Sequence, residues 1–171
     1  MTVGITGIDH KLGQALSDVF YSSIPINEDL DGLFACDVFI NNLAKVNLQE
    51  VFFDQVFNWW LDQPRTIVNI ISTVVFDDVN TLSSYGETKI SLYNKVKETI
   101  KKHPDKLVRV INIYPSTLSS NKSFDYLNKV DIHVLARLIK ILVETPQEIE
   151  VRDVCIYPTS LNKKFEKTSI L

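Results

Sequence analysis

The chain has 171 residues, 45% of them apolar and 23% charged, which suits one domain with a real core. Its 18 basic and 21 acidic residues are scattered and leave a net charge of -3, so no basic stripe suggests nucleic-acid binding. No apolar run has bilayer-spanning length and the opening Met1–Gly7 lacks the regions of a signal peptide. Cys36 and Cys155 lie far apart without C-x-x-C spacing, so two buried thiols in a cytoplasmic protein are expected.

Thr2–Thr6 reads as a buried strand, and Leu12–Phe20 as a helix with Leu12, Ala15, Leu16 and Val19 inward. Between them runs Gly7-Ile-Asp-His-Lys11, followed by Gly13. A glycine turn between strand and helix can hold a pyrophosphate on backbone N–H groups and the helix dipole, although an ordinary turn has the same look. Lys11 stands where a glycine-rich phosphate turn would have its middle glycine. Ile24-Pro-Ile26 suits a short edge strand, and Asn27–Ala35 a loop with one helical turn. Cys36–Asn42 is a strand ending in two asparagines. Asn47–Leu61 is a helix closed by Gln63-Pro64. It carries Leu48, Val51, Phe52, Phe53, Val56, Phe57, Trp59 and Trp60 around much of its circumference, which implies either a subunit contact or deep burial.

Arg65–Ile71 is an apolar, β-branched strand, and Ser72 stands at its end. After a loop ending in Leu82-Ser83-Ser84, a helix carries Leu82, Tyr85, Lys89, Leu92, Val96 and Ile100 as one stripe. A cation inside an apolar stripe needs a partner, and Tyr85 is one turn back. A second Tyr-x-x-x-Lys, Tyr93 to Lys97, lies off the stripe among Lys95, Lys101 and Lys102 and reads as a solvated face. Leu107–Tyr114 is a further buried strand, stopped by Pro115-Ser116-Thr117 and followed by a polar loop to Lys129. Val130–Val143 is an apolar helix, Val151–Ile156 the last strand, and 159–171 a loosely held tail behind a single domain of residues 1–158. Strands alternating with helices imply an α/β fold with a parallel sheet and ligands at the C-terminal strand ends. Gly7, Asn41, Ser72 and Pro115 all fall at such ends. The isolated His10, His103 and His133 speak against a metal site, and no G-x-S-x-G elbow marks a hydrolase.

Taken together, Thr6-Gly7, Leu12-Gly13, Asn41-Asn42-Leu43-Ala44, Val46-Asn47-Leu48, Ile67–Ser72, Tyr85-Gly-Glu-Thr-Lys89 and Arg109–Pro115 resemble the short-chain dehydrogenase/reductase family. The resemblance implies a Rossmann-like doubly wound parallel sheet of about six strands with helices on both faces, truncated on the adenosine-binding side. The family usually places two strands and two helices between Phe20 and Asp37, where this chain has room for one strand and a connector. By the resemblance, Asn47, Ser72, Tyr85 and Lys89 form a catalytic tetrad. Tyr85 is the general acid or base, its phenol favoured as phenolate by Lys89; Ser72 polarises the substrate oxygen, and Asn47 supports a relay water. Gly7, Leu12, Gly13, Asn41 and Leu43 line the dinucleotide path, Lys89 reaches the nicotinamide ribose, and Pro115 and Ser116 flank the carboxamide. Lys11, Leu43, Ala44 and Ser116 replace smaller residues or glycine of the family pattern. NAD and NADP both remain open, with His10 and Lys11 leaning towards the phosphate of NADP. The implied reaction is hydride exchange with a small carbonyl or alcohol, in a homodimer or homotetramer built through helices 47–61 and 82–102. The alternative is a catalytically silent binding or regulatory module that keeps the fold.

Overall fold

Apolar, largely β-branched runs form six strands in the computed structural model, which describes residues 1–27, 30–43, 48–77, 83–119 and 129–158. They are β1 (Val3–Thr6), β2 (Ser23–Ile26), β3 (Val38–Asn41), β4 (Thr66–Ile70), β5 (Arg109–Pro115) and β6 (Asp153–Ile156). All pair in parallel, in the order β2-β1-β3-β4-β5-β6. Every residue of β1, β3, β4 and β5 is buried, as a sheet covered on both faces requires. Pro25 sits in β2, an edge strand, where its missing N–H costs no ladder bond. Among the described residues β2 alone lies beyond β1, in keeping with the shortened adenosine side.

Alternation along the strands sorts two cores. Ile5, Ile40, Val68, Ile111 and Ile113 face α1 (Lys11–Val19) and α4 (Ile132–Glu144), which supply Leu12, Leu16, Leu135 and Ile139. Phe39, Ile67, Val110 and Tyr114 face α2 (Leu48–Trp60) and α3 (Ser84–Lys102), which supply Phe53, Phe57, Trp60, Leu92 and Val96. Asp131 starts α4, its Oδ1 accepting 2.9 Å hydrogen bonds from the N–H groups of His133 and Val134.

The large apolar residues of α2 are mostly consumed inside the chain. Phe52, Phe53, Val56, Phe57 and Trp60 are buried, whereas Val51 and Trp59 remain exposed, Trp59 stacked on Phe34 at 5.4 Å. Deep burial therefore accounts for most of the composition that suggested a subunit contact. Cys155, on the edge strand β6, is exposed rather than buried; Cys36 is buried as expected. The expected tail, 159–171, and most of the polar loop after Thr117 lie outside the described residues.

Arg109, at the start of β5, is 7% exposed and closes the C-terminus of α4. Its guanidinium donates to Val143 O and Thr145 O at 2.7 Å and to Thr66 Oγ1 at 3.3 Å. A planar cation thus satisfies carbonyls left over at the negative end of the helix. Arg109→Met should cost about 2–3 kcal/mol, the worth of charge-assisted bonds lost with their acceptors left buried, read as a lower midpoint in urea unfolding.

Candidate functional site

Strand order reverses between β1 and β3, and the loops leaving them open a crevice there. Gly7 follows β1 with φ of 63°, a left-handed conformation that favours glycine, and a Cβ on it would lie 3.0 Å from Asn42 O. Gly13, in the first turns of α1, packs so closely that a Cβ would meet Gly7 O at 2.1 Å. Thr6 ties the two strand ends together: its Oγ1 accepts from Asn42 N at 2.8 Å and donates to Ile40 O at 3.3 Å. His10 occupies the cap position of α1 but offers no side-chain hydrogen bond to the first-turn N–H groups. The turn therefore keeps the tight backbone approach and the open helix start that suit a phosphate, with exposed Lys11 beside them.

A cleft of about 1150 Å³ runs from this turn to the ends of β4 and β5. Pockets for drug-sized molecules occupy roughly 300–1,000 Å³, so a dinucleotide has room. Of the residues expected from the sequence, His10, Lys11, Leu12, Leu43, Ser72, Tyr85, Lys89, Pro115 and Ser116 line it. Gly7 and Gly13 belong to the turn and helix start beside it and are not among its lining residues. Asn41 does not line it: it is fully buried, donating to Gln49 O at 2.7 Å and to Asn69 Oδ1 at 3.3 Å, and Asn42 lines the cleft in its place. Asn47 and Ala44 lie outside the described residues. Phe76, Asp77 and Tyr157 also line the cleft; a 3-10 turn over Thr73–Phe76, inside the stretch expected to be loop, brings the first two there.

The floor is the chemically distinctive part. Ser72 Oγ accepts from Val74 N at 3.3 Å and so caps that turn, holding the hydroxyl at the strand end. Ser83 caps α3 in the same way, accepting from Gly86 N at 3.3 Å, and this seats Tyr85 at the helix's outer rim, 44% exposed. One turn further in, Lys89 is 4% exposed. Its Nζ donates to Gln49 Oε1 at 2.6 Å and to Ile70 O at 3.1 Å, and lies 5.5 Å from the centroid of the Tyr85 ring. The hydrogen-bond partners of Lys89 are therefore Gln49 and a strand-end carbonyl, with the Tyr85 ring, the expected partner, as a cation–π neighbour. Burial lowers the Lys89 pKa to about 8. Burial also raises the Tyr85 phenol above its usual value, and the nearby Ser72 hydroxyl works against that rise. Burial outweighs the other influences on the phenol, while the hydrogen bonds of the Lys89 ammonium go to two neutral oxygens.

The same fold recurs in solved structures. A short-chain dehydrogenase/reductase from Vibrio parahaemolyticus superposes with a TM-score of 0.75 at 13% identity, over 92% of this chain and 100% of that one. Serine dehydrogenase from Escherichia coli gives 0.74 at 14% identity, over 92% and 98%. The fold is that of the short-chain dehydrogenases/reductases. An alcohol dehydrogenase of the archaeon Thermococcus sibiricus, solved with 5-hydroxy-NADP, is a further neighbour at 0.71 and 14% identity, over 91% and 96%. No family model matches the sequence, and no curated protein matches it.

On this short-chain dehydrogenase/reductase fold the chain carries a polar ladder that sequence reasoning missed. Asn41, Asn69, Asn112 and Asp153 stand in register on neighbouring strands β3 to β6. Each amide donates to the next oxygen: Asn41 to Asn69 at 3.3 Å, Asn69 to Asn112 at 3.1 Å, Asn112 to Asp153 at 3.1 Å. Asp153 also accepts from Tyr114 OH at 2.6 Å and from Lys97 at 2.9 Å, so the second Tyr-x-x-x-Lys ends in an ion pair rather than in water alone. Burial opposes ionisation of Asp153, but the bonds from Tyr114, Lys97 and Asn112 outweigh it and hold the carboxyl below its usual range. Among the described residues no group of three or more His, Cys, Asp or Glu could hold a metal ion, and no helix is long and apolar enough to cross a membrane.

The depressed Lys89 pKa has a consequence for stability. The folded state binds fewer protons than the unfolded chain between about 8 and the ordinary 10.5, so stability rises with pH across that window. Urea unfolding of wild type and Lys89→Met at both ends should show wild type gaining on the variant by on the order of 2–3 kcal/mol. A constant difference would mean that the ammonium is not desolvated.

Proposed function

We propose that the chain binds a nicotinamide dinucleotide and catalyses oxidoreduction between a small carbonyl and its alcohol. The observation that carries this reading is one cleft floor joining a buried ammonium, a phenol and a strand-end hydroxyl, beneath an uncapped helix start that can take a diphosphate. Gly7 and Gly13 would allow the backbone approach, and Lys11 and His10, which line the cleft, would lend positive charge to a phosphate, a lean towards NADP. Bound nicotinamide would supply or accept the hydride. Ser72 Oγ would hold the substrate oxygen, and Tyr85 OH would give it a proton in the reducing direction and take one back in the oxidising direction. Lys89, nearly neutral-poised at about 8, would donate to the ribose from below.

The raised phenol gives a pH signature. Tyr85 stays protonated through neutrality, so carbonyl reduction should hold its rate into alkaline pH while alcohol oxidation should rise with pH. Tyr85→Phe should lower turnover on a carbonyl panel by about 10²–10⁴-fold and leave NADPH affinity unchanged in fluorescence titration. Lys11→Glu should weaken NADPH more than NADH. No binding of either cofactor at millimolar concentration would favour the second reading, a silent binding module, which draws on Lys89 already holding two acceptors without any ligand.

Assembly through α2 and α3 is a separate proposal resting on exposed Val51 and Trp59. Light scattering should then report a dimer; a monomer at high protein concentration would overturn it.

A further inference from the structure

Gln49 is the side chain on which the geometry of Lys89 turns. It is 2% exposed in the first turn of α2 and uses its whole amide. Nε2 donates to Asn41 O at 2.7 Å and to Ile70 O at 2.9 Å, which leaves Oε1 aimed at the ammonium, 2.6 Å away. Two fixed carbonyls at the ends of β3 and β4 thus dictate which end of the amide faces Lys89. A flipped amide would set an oxygen against two oxygens and N–H groups against a cation. Asn41 closes the loop by donating to Gln49 O at 2.7 Å, so the backbone and side chain of Gln49 are both gripped by one strand-end asparagine.

We infer that Gln49 is the positioning residue of this site: it presents an uncharged acceptor that holds the Lys89 ammonium under the cleft floor. This rests on reading Lys89 as part of the reaction site, and it adds a residue that the tetrad does not contain. A neutral acceptor matters because a carboxylate there would pin the lysine as a permanent cation, whereas an amide orients it and leaves it free to titrate. The other ionisable groups near Lys89 do not supply that acceptor. Tyr85 on α3 meets it with its ring face; Glu50 on α2 is engaged by Ser91 at 2.6 Å; Asp77, His10 and Lys11 lie elsewhere along the cleft.

The test is the titration midpoint of Lys89 itself, followed by pH-dependent acylation with mass spectrometry in wild type, Gln49→Met and Gln49→Glu. Circular dichroism at each pH restricts the comparison to folded protein. Neither cofactor nor substrate is needed. Gln49→Met removes the acceptor while keeping the shape, so the charged form loses its support and the midpoint should fall by about one unit, roughly a fivefold gain in labelling at neutral pH. Gln49→Glu keeps an oxygen there, so its midpoint should stay at or above that of wild type. A residue that merely fills space would behave otherwise: with Met taking its volume and Ile70 O still accepting from the ammonium, the midpoint would stay where it is. A rise or no change in Gln49→Met, or a fall in Gln49→Glu, overturns the proposal, and either variant decides if only one folds. Loss of cofactor binding with these shifts intact would overturn the oxidoreductase reading instead and leave Gln49 in its role.

Discussion

Keeping an ammonium out of water is the constraint around which the centre of this molecule is arranged. Desolvating a cation is expensive unless its donors are met, and Lys89 meets oxygen from α2 and from the end of β4 while its stem lies along α3. Those three elements must therefore hold a common relative position. Gln49 is in turn held by the end of β3, which extends the requirement to a fourth element. Asn41 and Gln49 bond each other through both side chains and backbone, which ties these elements together at the cleft floor.

Much of this was legible from residue order, and the limits follow from physics. β-branched runs marked the strands because strands covered on both faces cannot alternate with polar residues. Lys89 stood out because it interrupts an apolar helical stripe. Gln49 did not stand out: it sits between Leu48 and Glu50 at a helix start, where a polar residue looks solvated. Its burial comes from strand ends that approach it only in the folded chain. The asparagine ladder was hidden for the same reason. Its bonds span sequence separations of 28, 43 and 41 residues, and a local period carries no information on register between strands. Asn41, read as a lining residue from its place at a strand end, proved to belong to that ladder.

The phosphate turn shows how two neighbouring positions can diverge in tolerance. Gly13 has no space for even a methyl group, since it touches the carbonyl of Gly7. Lys11, a few residues earlier, is exposed, so a long side chain fits where backbone crowding does not reach. Replacing a glycine there adds a positive charge beside the helix start and leaves the turn intact. Among the described residues one strand lies beyond β1, and His10 and Lys11 stand at the start of the helix that follows β1.

The carboxylate that ends the ladder also acts as a lock on an open margin. β5 would otherwise offer its backbone, the amide of Asn112 and the hydroxyl of Tyr114 to whatever extended segment arrived. Asp153 answers both side chains at once, with Lys97 completing the pair. A foreign strand lacking an acid at that register would leave two buried donors stranded, at a penalty of about 1–3 kcal/mol each. The sheet thereby recognises its own final strand by charge, which discourages a foreign strand from taking the place of β6 beside β5.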